Sequence, residues 1–439
     1  MIGVGPFITL PLLIGAMGGP QAMLGWVLGA LLAACDGLVW AELGASMPEA
    51  GGTYAYLSAM YPGRLGRWLS FLFAFQLLLS APLSMASGCI GLAQYAGDVA
   101  PGVRGHTVWV AVGAVLLAIL LLYRRLERIK QIAQGLLIVV LGTIAWAVLT
   151  GLWRGHWTQV VAVPAGAFHL NHAFFAGLAS AMLIATYDYW GYYNVTFLGG
   201  EVRNPGRTIP RAVLLSIAIV AVLYLALNAS VLSVMGAAGL MKAQRPEIRQ
   251  AMLSEFIRMS YAPSVGVSAA AVLGKVAAVL VMITAFGSVF SLLLGYSRIP
   301  FAAARDGNFP AVFGRLHPTR GFPYVSLLVL GGVACVCCFF SLGQVIAALV
   351  VLRIVLQFSL QHVGVMLLRK RRPDMARPFR MWLYPIPPVA ALVGFGYIVF
   401  VRSGSMREVL LAGAVAVAGT IVFLVRTHVS GPTPSSLNS

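Results

Sequence analysis

The chain has 439 residues, of which 60% are hydrophobic and 10% charged, where a soluble domain carries roughly 25% charged residues. Mean hydropathy is +0.89, which leaves too little polar surface to solvate the chain and predicts apolar residues facing lipid. Lys and Arg number 30 against 12 Asp and Glu, a net charge of +18, but the bases sit in short stretches between long apolar runs, which excludes a nucleic-acid surface and fits the loops of a membrane protein.

A membrane-spanning helix needs about 20 apolar residues, and the chain offers twelve such segments. The first, about 1–18, opens on Ile2-Gly3-Val4-Gly5-Pro6-Phe7 with no charged residue ahead of it, so it is not a signal peptide. Its Gly and Pro are expected to break the helix early. It is short for a span, and its cytoplasmic half is expected upstream of a misplaced start. The next four are about 21–47, 68–96, 107–123 and 131–152. The sixth, about 172–198, is interrupted by Thr186-Tyr187-Asp188-Tyr189-Trp190-Gly191-Tyr192-Tyr193-Asn194. Then come about 210–235, 275–298, 322–341, 344–368, 383–401 and 408–425. The expected fold is an all-α integral membrane protein of twelve transmembrane helices, one transmembrane unit over 1–425 with a disordered cytoplasmic tail over 426–439. In the long loop 236–274, Arg245–Tyr261 is expected to form a short amphipathic helix over the outer mouth.

Alternate loops hold most of the bases: Arg64 and Arg67; Arg124, Arg125, Arg128 and Lys130; Arg203, Arg207 and Arg211; Arg298, Arg305, Arg315 and Arg320; Arg369–Arg372, Arg377 and Arg380; and Arg426. The positive-inside rule then places both termini in the cytoplasm, with the protein in the cytoplasmic (inner) membrane. Trp68, Trp109, Trp153, Trp157 and Trp382 fall at span ends, as interfacial anchors do.

Ionisable residues inside spans are costly, at about 2.5–3.5 kcal/mol each near the helix centre, so they mark function or structure. Three qualify: Asp36 in the second span, Asp188 in the sixth and Arg353 in the tenth. Arg353 shares roughly one helix face with Gln357, Gln361 and His362, a polar stripe suited to a structural pair or gate, with Asp188 or Asp36 as candidate partners. No phosphate loop, HExxH or GxSxG is present, and no Cys/His cluster has metal spacing, so neither an enzyme nor a cofactor or metal is expected. The five cysteines all lie in apolar runs and read as small buried side chains. Interruptions in spans one and six, five apart, point to a secondary transporter whose site lies between two discontinuous helices.

Five stretches carry a resemblance. They are Met1–Leu10; Trp40–Tyr54, with Trp40-Ala41-Glu42-Leu43-Gly44 and Gly51-Gly52-Thr53-Tyr54; Tyr187–Asn194 continuing into Gly200–Arg211; Ser297-Arg298 with Ala304–Pro310; and Arg377–Arg380. In this order the chain resembles the amino acid–polyamine–organocation (APC) superfamily, and within it the bacterial relatives of L-type amino acid transporters. The resemblance implies a five-plus-five inverted repeat, about 1–152 and about 172–368, with broken helices 1 and 6 and two extra helices over about 383–425. It also implies a permease for amino acids that works by alternating access across the membrane, as exchanger or proton symporter. The substrate carboxylate would meet backbone N–H groups of Val4, Gly5 and Phe7, with Gly3 allowing close approach. The ammonium would meet carbonyls of Ile2, Tyr187, Asp188 and Trp190, in a break that also includes Tyr189 and Gly191. Tyr187 takes the place of an aromatic gate.

Two departures from the family pattern matter. The usual Ser-Gly-Ile of span one is Val4-Gly5-Pro6 here, which removes a hydroxyl and an N–H. Asp188 adds a carboxylate, which motivates an alternative reading as a polyamine or cationic amino acid carrier. A third reading, motivated by the altered span-one motif, is a non-transporting sensor on a transporter scaffold. Proton or sodium coupling stays open, and Ser288 is the candidate residue for a cation-site role.

Overall fold

The computed structural model describes residues 3–48, 51–123, 129–241 and 250–429. Among them the regular structure is helical, with no strand. In lipid the backbone has no water to bond, and a helix satisfies its N–H and C=O groups within one segment.

Eight helical stretches are long and apolar enough to cross a membrane: Pro20–Ser46, Gly63–Val99, Pro101–Tyr123, Gln134–Arg154, Pro205–Met241, Val267–Arg305, Leu342–Arg371 and Met406–His428. Tyr324–Cys337 and Ile386–Phe400 are shorter apolar helices. These coincide with the apolar segments predicted from the sequence, apart from the first and sixth. The first is a short pair, α1 (Gly5–Ile8) and α2 (Leu10–Met17). The sixth is α9 (His172–Tyr189), which stops short of the predicted 198 and gives way to a 3-10 turn over Tyr192–Glu201.

The remaining helices, in order, are α3 (Met23–Ser46), α4 (Thr53–Met60), α5 (Gly63–Val99), α6 (Thr107–Tyr123), α7 (Ile129–Arg154), α8 (Thr158–Val161) and α10 (Pro205–Met241). They continue as α11 (Met252–Val265), α12 (Val267–Tyr296), α13 (Arg298–Arg305), α14 (Tyr324–Cys337), α15 (Leu342–Arg353), α16 (Ser359–Arg371), α17 (Ile386–Phe400) and α18 (Met406–Val429). A π-helical turn, Ile354–Phe358, joins α15 to α16. Helix α5 overruns the predicted 68–96 at both ends, because hydropathy marks only the lipid-embedded part. The helical ladder itself continues between Pro62 and Pro101.

Helix α5 is the most enclosed of the candidate spans, while α18 lies mostly exposed at the rim. Close packing around the interrupted helices relies on small residues. A Cβ added at Gly25 would lie 2.6 Å from the Ala181 Cβ, and one at Gly29 would lie 2.8 Å from the Ala185 Cβ. Gly25 and Gly29 stand four apart on α3, and Ala181 and Ala185 four apart on α9, so a small-residue seam lets the two backbones meet.

Some sequence expectations change. Trp109, Trp153, Trp157 and Trp382 are exposed near helix ends, as anchors should be. Trp68 is half-buried and donates from Nε1 to Thr420 Oγ1 at 3.2 Å, so it ties α5 to α18. Among the described residues of the loop expected to form an amphipathic helix over Arg245–Tyr261, a helix runs over Met252–Val265; residues 242–249 lie outside the described residues, as do Arg124, Arg125 and Arg128 and the tail 430–439. Helix α11 buries Leu253, Phe256 and Ile257 and is clamped by Arg258, which meets Asp98 with two hydrogen bonds of 2.9 and 2.8 Å.

Candidate functional site

Pro6 sits in the first turn of α1, where a missing N–H costs nothing. The helix therefore begins at Gly5 instead of being broken by that proline. Thr9 keeps right-handed helical angles, and its N–H donates to the Gly5 carbonyl at 3.0 Å, so α1 passes into α2 with only a local irregularity. Pro11 then cannot donate to the Phe7 carbonyl. The Tyr95 hydroxyl does so instead, at 2.7 Å, and itself accepts from the Leu253 N–H of α11 at 3.1 Å.

Helix α9 ends where Trp190 donates to the Thr186 carbonyl at 3.1 Å. The carbonyls of Tyr187 and Asp188 lie beyond that last ladder bond, as carbonyls at a helix C-terminus do. Trp190 then turns extended and Gly191 takes φ 121°, a conformation that favours glycine. The interruption thus falls at Trp190-Gly191, at the C-terminal edge of the predicted Tyr187–Gly191 break.

The start of α1 and the break after α9 face one cavity of about 390 Å³, within the size range of small-molecule sites. Gly3, Val4 and Gly5 line it from one side, and Tyr187, Asp188, Trp190 and Gly191 from another. Ser288, Thr284 and Tyr296 of α12, Arg353 of α15, Ser84 of α5 and Tyr193 add polar groups to the wall. Ser288 faces the span-one backbone: a Cβ on Gly3 would stand 3.0 Å from its Oγ. Asp188 lies tight against Gly5, where an added Cβ would fall 1.8 Å from Oδ1. Its other oxygen, Oδ2, accepts from Thr9 Oγ1 at 2.5 Å. Tyr187 donates to Ser87 Oγ of α5 at 2.8 Å, which holds its ring across to a different helix.

Other sequence candidates fall elsewhere. Ile2 lies outside the described residues. The Phe7 N–H already donates to the Val4 carbonyl at 3.0 Å, so it is not an open donor, and Phe7 is fully buried away from the cavity. Tyr189 packs edge-on to Trp26 and stacks with Tyr224 in the core. Asp36, also off the cavity, accepts from the Tyr192 hydroxyl and lies 3.3 Å from His362 Nε2. Arg353 pairs with neither Asp188 nor Asp36. It donates to Tyr193 Oη at 2.7 Å, Ser84 Oγ at 3.2 Å and Tyr296 Oη at 3.1 Å. The polar stripe that follows divides its contacts, with Gln357 and Gln361 both bonded to Thr53 and His362 turned to Asp36.

Sequence reasoning missed Thr9, Ser84, Tyr193 and Tyr296 as partners. Thr9 alone carried a local signal, as a hydroxyl one helical turn from Gly5. The others meet Arg353 only through packing. Among the described residues no group of three His, Cys, Asp or Glu is placed to hold a metal, and the five cysteines are free thiols.

A multi-pass helical bundle with a cavity lined by the start of the α1–α2 run and by the break after α9 fits a membrane transporter. The chain belongs to the amino acid permease family, whose model matches residues 1–423. It is a transporter of that family and not an enzyme. It is 25% identical to the serine/threonine exchanger SteT of Bacillus subtilis, over 90% of this chain and 86% of that protein. It is 30% identical to the uncharacterized transporter Rv1999c of Mycobacterium tuberculosis, over 76% of this chain and 69% of that one. With the human Asc-type amino acid transporter 1 it shares 26% identity, over 91% of this chain and 74% of the relative.

Proposed function

We propose that this protein moves amino acids across the cytoplasmic membrane by alternating access, as an exchanger or proton symporter, with both termini in the cytoplasm. The observation that carries the reading is the joint lining of one cavity by Gly3, Val4 and Gly5 and by Tyr187, Asp188, Trp190 and Gly191. A zwitterion must exchange water for partners at both its charges. The start of the Gly5–Met17 helical run offers the positive end of a helix dipole to the carboxylate, through the amides of Val4 and Gly5. The carbonyls of Tyr187 and Asp188, past the last ladder bond of α9, offer acceptors to the ammonium. Tyr187 is the lid over this point. Twelve spans in two inverted repeats, about 1–152 and 172–368, with two further helices, put the interruptions in corresponding positions of the two halves. Ser288, against Gly3, is the place at which a coupling cation would act.

The cationic-amine alternative draws on Asp188. Thr9 occupies one oxygen of that carboxylate, while Oδ1 lies against Gly5 without a hydrogen-bond partner among the described residues, so a substrate cation has a single oxygen to meet there. The test is uptake of a radiolabelled amino acid and polyamine panel into proteoliposomes, with and without internal substrate. Uptake of neutral amino acids that requires preloading supports exchange, and uptake driven by an imposed pH gradient supports symport. Selective uptake of cations would replace this reading with the amine carrier. No flux of any substrate would leave the sensor.

A further inference from the structure

Arg353 is 3% exposed and stands on the cavity wall. Its three hydrogen-bond partners, Tyr193, Ser84 and Tyr296, are all neutral hydroxyls, and its Nε has no partner among the described residues. No described carboxylate pairs with it. Asp188 is bonded to Thr9, Asp36 to Tyr192, Glu42 to Arg369 and Asp98 to Arg258. A guanidinium held this way keeps its charge without a counter-ion, an expensive arrangement inside a membrane.

The hydroxyls sharpen the point. Each oxygen accepts from Arg353, so its own proton must be donated elsewhere. Tyr193 Oη, Ser84 Oγ and Tyr296 Oη all sit on the one guanidinium, so their protons point to acceptors other than Arg353. A guanidinium with hydroxyl donors beside it makes a site suited to an anion. The ring of Trp190, 5.9 Å from the guanidinium carbon, forms part of the same wall.

We propose that Arg353, with Ser84, Tyr193 and Tyr296, receives a carboxylate on the substrate side chain, and that the preferred cargo is an acidic amino acid. This rests on the transporter reading above. In that reading the zwitterion's own charges have partners at the start of α1 and at the break after α9. Arg353 reaches the cavity from a third element, α15, and a neutral substrate leaves it without an anion.

The experiment uses the full chain in proteoliposomes preloaded with an amino acid mixture, with uptake of L-glutamate, L-aspartate and L-serine, and thermal stabilisation by L-glutamate against L-glutamine in detergent. Glutamate or aspartate is expected to be favoured, and glutamate alone to stabilise. Arg353→Gln is expected to raise KM for the acidic substrates by about thirtyfold or more, and for serine by a much smaller factor. Tyr296→Phe keeps the ring and is expected to shift the same selectivity more weakly, which covers a poorly folding Arg353 variant. Serine uptake without glutamate uptake or stabilisation overturns this proposal and leaves the transporter reading standing. An equal loss for all substrates in Arg353→Gln also overturns it, since the guanidinium would then serve the α-carboxylate or the fold. If no amino acid moves or stabilises, both readings fall.

Discussion

Thr9 and Asp188, 179 residues apart in sequence, meet through a 2.5 Å hydrogen bond from Thr9 Oγ1 to Asp188 Oδ2. The bond joins the first helical segment to the last turn of α9, so the two walls of the cavity are fastened where each loses helical regularity. Replacing Thr9 with Val keeps its shape and leaves a buried carboxylate oxygen without its donor, at a cost of about 1–3 kcal/mol. Thr9→Val is expected to melt earlier in detergent and to transport less, and Thr9→Ser to match the wild type. Asp188→Asn still offers Thr9 an oxygen and should keep neutral amino acid uptake within about tenfold. Abolished uptake in well-folded Asp188→Asn would instead assign the charge itself to the substrate.

Gly5 has no room for a side chain, because the Asp188 carboxylate occupies the place of its Cβ. Gly5→Ala must displace Asp188 from Thr9 and narrow the cavity, an overpacking of about 1–3 kcal/mol. Uptake should drop sharply with the protein still monodisperse on size exclusion. Gly15, on α2 with nothing within 4 Å of an added Cβ, is the control. There the Ala substitution should be neutral or stabilise by up to about 1 kcal/mol. Equal effects at the two positions would refute the steric account.

Asp36 ties three elements together without lining the cavity. It accepts from Tyr192 after the α9 break, and it faces His362 of α16, whose Nδ1 lies 2.7 Å from the Phe358 carbonyl. Asp36→Leu orphans buried polar groups at about 1–3 kcal/mol each. The expected result is a lower melting temperature and less folded protein, with uptake per folded molecule and substrate KM close to wild type. A change in substrate preference at unchanged stability would contradict this structural assignment.

Glu42, 1% exposed near the C-terminal end of α3, accepts from Arg369 Nε at 2.8 Å and from the Met381 N–H at 2.8 Å, with Arg377 Nε 3.6 Å away. One carboxylate thus anchors the basic loop between α16 and α17. Breaking a buried pair costs about 3–5 kcal/mol; the partly exposed Arg369 places Glu42→Ala near the lower end. Limited proteolysis should open the loop over 372–385 in Glu42→Ala and much less in Glu42→Gln. Identical cleavage of variant and wild type would rule the anchor out.

Much of the architecture is a local property of the chain. Hydropathy over about 20 residues located the apolar segments because transfer into lipid sums residue by residue. The Tyr187–Gly191 stretch marked irregular backbone because glycine frees φ wherever the rest of the protein lies, whereas Pro6 falls in the first turn of its helix and breaks nothing. What local chemistry leaves open is which charge meets which partner. Asp36, Asp188 and Arg353 stood out by their cost in a membrane, and a direct pairing among them was the natural expectation. The tertiary structure separates them: Asp188 goes to Thr9, Asp36 to Tyr192 and His362, and Arg353 to hydroxyls that α5, α12 and the turn after α9 bring from 269, 57 and 160 residues away. Those pairings depend on how the helices pack, down to the Gly25/Gly29 seam against Ala181/Ala185, and packing of that kind is a sum over distant contacts that no single segment contains.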